Sequence, residues 1–273
     1  MTPRYSRILN KISVFTDPRR ERKGEKEMAE NKFSLMSYNI LCDKPKPERI
    51  DRLIALVKKY EADTIGMQEV TPYWLSFLKP ALNNYVCVGL GRDGENNGEH
   101  SCIFYNKEKF DLISTETKWL SDTPDEVSRV EGSAYIRIVT FAVLERKSDG
   151  KRFVHANTHL DFGKAAVEQV KYLKKFAEKY DLPMFVTGDF NFAPDSEGYA
   201  EFTKDRFVTS SAVAADAKIS NTFPACEDPT CIIDYCLVTP ESIDVKTYKV
   251  CTEQINGGYG SDHMPVYIEY DLK

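Results

Sequence analysis

The feature that most constrains this chain is the spacing of its apolar residues. Short runs of strand length alternate with stretches of helical period, and turn residues separate them. Residues 33–40 read as a strand. Residues 48–60 then place Ile50, Leu53, Ile54 and Val57 at helical spacing behind Pro45 and Pro47. Residues 63–69 form a second apolar run, so the three segments make a strand–helix–strand unit whose crossover predicts parallel strands. The middle of the chain differs: 85–90, 100–105, 110–120, 137–144 and 153–159 read as successive strands. A glycine- and asparagine-rich loop lies at 91–98, and Ser148-Asp149-Gly150 is a hairpin turn. An amphipathic helix at 165–180, with Val167, Val170, Leu173, Phe176 and Ala177, leads into a strand at 183–188, and further strands are predicted at 232–238, 245–249 and 264–270. A long run of strands between strand–helix units predicts an α/β fold with two mixed β-sheets packed face to face and helices outside. No repeat or compositional break divides it. The expectation is one domain over 32–273 behind a polar extension at 1–31.

Composition narrows the function classes. The 273 residues suffice for one large domain with a substantial core. A net charge of −5 argues against tight, sequence-independent binding to duplex DNA, although a local basic rim is compatible with that total. The seven cysteines are an odd number, which favours reduced thiols and a cytoplasmic location. Cys226, Cys231 and Cys236 lack the short CxxC spacing of structural zinc sites, and a disulfide between Cys226 and Cys231 is left open. No run approaches the roughly 18 apolar residues of a membrane span, and the start of the chain has no secretory apolar core. A polar tail is the plainer reading there. The alternatives are a start at Met28, or an amphipathic contact through Ile8, Leu9, Ile12, Val14 and Phe15 with a partner or an anionic membrane. Oligomeric state is left open.

Polar residues gather where predicted strands begin or end: Asn39, Gln68-Glu69, Asn157-Thr158-His159-Leu160-Asp161, Gly188-Asp189-Phe190-Asn191 and Ser261-Asp262-His263. Any one of these reads equally well as a turn or a helix cap. Together they form a set of oxygen donors and histidines without cysteine, which suits Mg²⁺ or Mn²⁺. There is no GxxxxGK phosphate loop and no GxSxG elbow, so neither ATP-driven phosphoryl transfer nor serine acyl transfer is expected.

From Ser34 onward the chain resembles the endonuclease/exonuclease/phosphatase superfamily. The motifs are Ser37-Tyr38-Asn39, Met67-Gln68-Glu69, Gly98-Glu99, Asn157-Thr158-His159, Gly188-Asp189-Phe190-Asn191, Ile233-Asp234-Tyr235 and Ser261-Asp262-His263. The resemblance implies a four-layer α/β sandwich and a metal-dependent phosphoesterase working by in-line attack of water. It implies Glu69 as principal metal ligand, with Asn39 and Asp262 completing or orienting the shell. Asp189 would activate the water and Asn191 would hold the water or the phosphate. His263 backed by Asp234, and His159 backed by Glu99, would donate to the phosphoryl or leaving oxygen. Carboxylates behind both imidazoles predict raised pKa values for both. Arg137 would pair with the phosphate, its alternative being a surface salt bridge.

The other candidates have plainer readings. His155 shares a strand face with His159 and is assigned to the core or to support of the site, His100 is expected to point away from Glu99, and Asp161 either bridges to the site or begins a turn. Trp74, Trp119 and Tyr135 either stack on a base or sugar or pack in the core. The expected substrate is a phosphate ester, either a small molecule or short nucleic acid. The rivals are a nuclease acting on short or single strands, and a silent phospholigand- or protein-binding module of the same fold. A filled motif set weighs against the last.

Overall fold

The computed structural model describes residues 33–226, 228 and 230–273. The expected extension at 1–31 lies outside them. Chain order is β1 (Phe33–Asn39), α1 (Pro47–Tyr60), β2 (Thr64–Val70), α2 (Pro72–Ala81), β3 (Tyr85–Val88), β4 (His100–Asn106), β5 (Phe110–Trp119), β6 (Ile138–Arg146), β7 (Arg152–His159), α3 (Gly163–Ala177) and β8 (Met184–Asp189). Then come α4 (Glu197–Thr203), β9 (Val208–Thr209), α5 (Ser210–Val213), β10 (Asp216–Lys218), β11 (Asp234–Val238), β12 (Ile243–Val250) and β13 (Val266–Leu272). The strands form a seven-stranded sheet, β10-β12-β13-β1-β2-β4-β3, and a six-stranded sheet, β5-β6-β7-β8-β11-β9. Both are mixed: β1 pairs with β2 and β7 with β8 in parallel, and their other neighbours are antiparallel.

Two-residue alternation explains the layering. On β1, Phe33 and Leu35 enter the core between the sheets, where Phe153, Phe185, Ile268 and Tyr270 meet them. Met36 and Tyr38 face the other way, onto Ile50, Leu53 and Val57 of α1 and Trp74 and Leu78 of α2. Across the seam, Val154 and Val186 of the second sheet pack under Val170 and Leu173 of α3 and Phe202 of α4. Helices, sheet, sheet and helices make the four layers of the expected sandwich.

The same alternation makes one end of the seam polar. The inward positions of β1, β2, β7, β8 and β11 run from apolar residues to Asn39, Gln68, Asn157, His159, Asp189 and Asp234, all of them at most 7% exposed. Asn157 ties the sheets together, accepting from Gln68 Nε2 at 2.6 Å and donating to the carbonyls of Met67 and Cys102. The sheets approach so closely there that a Cβ on Gly66 would lie 2.1 Å from Thr187 Oγ1. Gln68 and Asn157, read as site motifs, serve as buried connectors.

Helix α2 has no counterpart among the predicted elements. Thr71 caps it by accepting from Trp74 N, and Pro80 near its end obscures its period. The short α4, α5, β9 and β10 were likewise too brief to leave a periodic signal.

Candidate active site

Register carries the site residues to one place. On β8, Asp189 lies opposite His159 of β7 on one side and Asp234 of β11 on the other. Asn39 ends β1 across the seam, and its Nδ2 donates at 2.9 Å both to Asp189 Oδ2 and to Glu69 Oε1. Glu69 falls on the wrong face for an inward residue. A register shift between Met67 and Val70, together with a left-handed φ of 62°, turns its carboxylate into the seam. Such a conformation is costly for a residue with a Cβ and is typical of functional sites. Asn191 is also left-handed, at φ 52°, and its N–H donates to Asp189 Oδ1 at 3.0 Å.

Two imidazoles flank Asp189 Oδ2: His159 Nε2 at 3.5 Å and His263 Nε2 at 3.7 Å. His263 Nδ1 is 2.9 Å from Asp234 Oδ2, and the Phe223 ring packs against the imidazole at 4.6 Å. Burial alone would push His263 down, but Asp234, Asp189 and Asp262 outweigh it and hold its pKa up at about 10. Burial, and then the charge of Asp234, push Asp189 up to about 7 despite the opposing His263, Asn39 and Asn191 N–H. Of these groups, His159, Asp189, Asn191, Phe223, Asp262 and His263 line a cavity of about 550 Å³.

Several expectations need correcting. Glu99 does not back His159. Arg92 offers a bidentate guanidinium and takes both Glu99 oxygens, at 2.9 and 2.7 Å. His159 Nδ1 is buried without a partner, while its Nε2 accepts from Asn191 Nδ2 at 3.0 Å. The pKa of His159 is therefore lowered rather than raised, by burial first and then by Arg137, His263 and Arg92. Asn39 turns its amide nitrogen to the carboxylates, because its oxygen accepts from Leu41 N. Asp262 lines the cavity but belongs to neither close group of metal-binding atoms.

Arg137 is not in a surface salt bridge: it is 5% exposed, lines the cavity and makes no ion pair among the described residues. Trp74 and Trp119 are buried, their indoles donating to the carbonyls of Leu41 and Arg92, so of the three aromatics only Tyr135 reaches the cavity. His155 is a core residue bound to Thr187 Oγ1, and His100 turns to the Val70 carbonyl and Asn96. Both Cys226 and Cys231 are free thiols. Arg92, Phe162 and Phe223 line the cavity although sequence reasoning did not assign them there. They stand in loops, where no periodic pattern marks them.

The donor set fits a hard divalent cation. One ligand atom each from Glu69, His159 and Asp189 lie within 4.8 Å of one another, as do those of Asp189, Asp234 and His263. The carboxylates of Glu69, Asp189 and Asp262 line the cavity together with the guanidiniums of Arg92 and Arg137 and the charged imidazole of His263, and Asp234 stands behind that imidazole. The Cys42 thiol beside Glu69 has its pKa raised to about 12 by burial and by Glu69, and is no ligand near neutrality.

Such a fold and such a site are shared by a family of phosphate ester hydrolases. The chain belongs to the endonuclease/exonuclease/phosphatase family, whose model matches residues 36–263. A family member from Bacteroides thetaiotaomicron superposes with a TM-score of 0.82 at 30% identity, covering 88% of this chain and 97% of that one. The mannosyl-6-phosphatase of the same organism gives 0.80 at 29% identity, covering 88% and 99%. The CCR4-Not 3'-5'-exoribonuclease subunit Ccr4 of Yarrowia lipolytica is 26% identical over a 240-residue alignment with gaps, and the match covers 63% of this chain but only 34% of Ccr4. Among the described residues no helix is long and apolar enough to cross a membrane.

Proposed function

We propose that this chain is a phosphoesterase dependent on Mg²⁺ or Mn²⁺, cleaving its substrate by in-line attack of a water that Asp189 activates. The observation that carries this reading is the position of Asp189, which is buried, raised to about 7, and faced by two imidazoles of different character. A base poised near neutrality both holds and accepts a water proton. Glu69 would hold the cation, with His159 and Asp189 closest to it and Asn39 and Asp262 orienting the shell. When bound, it would offset charge on the phosphoryl oxygens.

His263 supplies the charged donor. Its Nδ1 is fixed on Asp234 and its Nε2 is free for a phosphoryl or leaving oxygen, to which it can pass a proton. The guanidinium of Arg137, without an ion pair among the described residues, offers a further contact to the phosphate, and Asn191 would join it by turning its amide from His159 and the Leu160 carbonyl. The filled site counts against a silent binding module. The free thiols support the cytoplasm as its compartment.

The test is phosphate release from a panel of phosphoesters with Mg²⁺ and with Mn²⁺. Activity should vanish with EDTA, return with added metal, and fall sharply in Asp189→Asn. Undiminished hydrolysis in EDTA would sink the proposal.

A further inference from the structure

A residue outside the catalytic machinery organises the outer part of the cavity. Asp161 is 1% exposed, and its two oxygens fix two separate loops. Oδ1 accepts from Phe162 N at 2.9 Å; Oδ2 accepts from Tyr135 N at 3.1 Å and from Ser133 Oγ at 2.5 Å. Buried Gln169 locks this arrangement, accepting from Asp161 N and donating to Ser133 Oγ. The two backbones so anchored carry the large exposed aromatics of the cavity: Tyr135 is 45% and Phe162 57% exposed. Arg137 and Arg92 lie 4.9 and 5.6 Å from the Tyr135 ring centre and hold it further. Rings kept in solvent by a dedicated buried carboxylate are preorganised for an apolar partner.

The charges around them suit one phosphate rather than many. Arg92 is matched by Glu99, Arg137 is the other arginine of the lining, and no lysine is among the described lining residues. The exposed segment after Cys42 interleaves Asp43, Lys44, Lys46 and Glu48. A polynucleotide backbone calls for a succession of cationic contacts, whereas about 550 Å³ is ordinary for a small ligand.

We propose that Tyr135 and Phe162 form a ring-binding subsite positioned by Asp161, and that the substrate is the monophosphate ester of a single compact ring, of the sugar phosphate class. The C–H face of the ring packs on the aromatics while its phosphate reaches Asp189. Water adds at phosphorus as its proton passes to Asp189, the P–O bond to the sugar breaks with its electron pair going to the sugar oxygen, which takes a proton from His263, and inorganic phosphate and the free sugar leave. This rests on the phosphoesterase reading above.

Steady-state kinetics on a hexose 6-phosphate, on acyclic glycerol phosphate and on a ten-nucleotide RNA test it. The hexose ester should lead the RNA by at least about tenfold in kcat/KM. Phe162→Ala should raise KM for the hexose ester about tenfold with kcat within about threefold, and raise KM for glycerol phosphate by less than about threefold. Asp161→Asn should copy that pattern, since it loosens both anchors. Preference for the RNA, or equal effects on ring and acyclic esters, overturns the proposal and leaves the phosphoesterase reading intact. Calorimetric binding of the hexose phosphate to Asp189→Asn, with and without Phe162→Ala, reads the subsite apart from turnover. Binding that weakens about tenfold supports the subsite even if no ester is hydrolysed, in which case only the catalytic reading falls. Binding indifferent to Phe162 overturns the subsite.

Discussion

Two histidines stand almost equally far from Asp189 Oδ2, at 3.5 and 3.7 Å, and the fold gives them opposite characters. On one side, β11 and the start of β13 bring Asp234 behind His263, and the carboxylates around it hold the imidazole charged. On the other, β7 brings His159 beside Arg137 with no carboxylate behind it, and burial keeps it neutral. Residue type does not distinguish the two sides. The neighbours do, and the outcome is one cationic donor and one neutral imidazole about a shared base.

The largest effect should come from the residue both sides share. Asp189→Asn should lower kcat roughly 10³-fold, because the carboxylate that both imidazoles face would no longer accept the water proton. Next comes Asp234→Asn, which makes the charged side resemble the neutral one. It should cost roughly 10² in kcat and bring the His263 titration, followed by NMR of the imidazole in metal-free protein, down from about 10. Retention of full activity would mean that the charge on His263 is idle.

The two sides also predict opposite pH slopes for stability of the metal-free protein. His263 is raised from 6.5 to about 10, so its contribution is complete below 6.5 and is lost as pH rises through 10. His159 is lowered, so its contribution is complete above 6.5 and fades as pH falls below it. His155, lowered to about 3 by burial, adds to the acid side. Each lowered histidine should steepen the acid loss by up to about 1.4 kcal/mol per pH unit. Urea unfolding at pH 5, 6 and 7 should find a shallower slope in His159→Gln than in wild type. An unchanged slope would place a proton on His159 in the native protein.

The residues of both sides were legible in the sequence, but the neutral character of His159 was not. Asn39, Asp189, Asp234 and His159 each end or begin a strand at an inward position, so two-residue alternation and strand ends suffice to gather them. Glu69 breaks that parity and reaches the site only through a bulge and a left-handed backbone, which no periodicity encodes. The partner of Glu99 depends on Arg92, in a loop whose backbone closes on itself through Gly91, Asp93 and Asn97. Loop contacts of that kind are set by tertiary packing, and so Phe162 and Phe223 also escaped. Helix α2 was lost for a more local reason: its four-residue spacing from Trp74 to Leu78 is cut short by Pro80.

The smallest effect offers the sharpest test of the asymmetry. If Glu99 served His159 as Asp234 serves His263, Glu99→Gln would cost roughly as much as Asp234→Asn. Both Glu99 oxygens are instead engaged by Arg92, and the carboxylate is itself pushed up by burial before Arg92 pulls it back. A glutamine can still accept from Arg92 through its amide oxygen, so the wall of the cavity should persist and kcat should fall by less than about threefold. Steady-state kinetics on Glu99→Gln and Asp234→Asn, measured side by side, decide the matter. A loss near 10² in both would mean that Glu99 leaves Arg92 for His159 once substrate is bound, and the two sides would then be alike at the moment that counts.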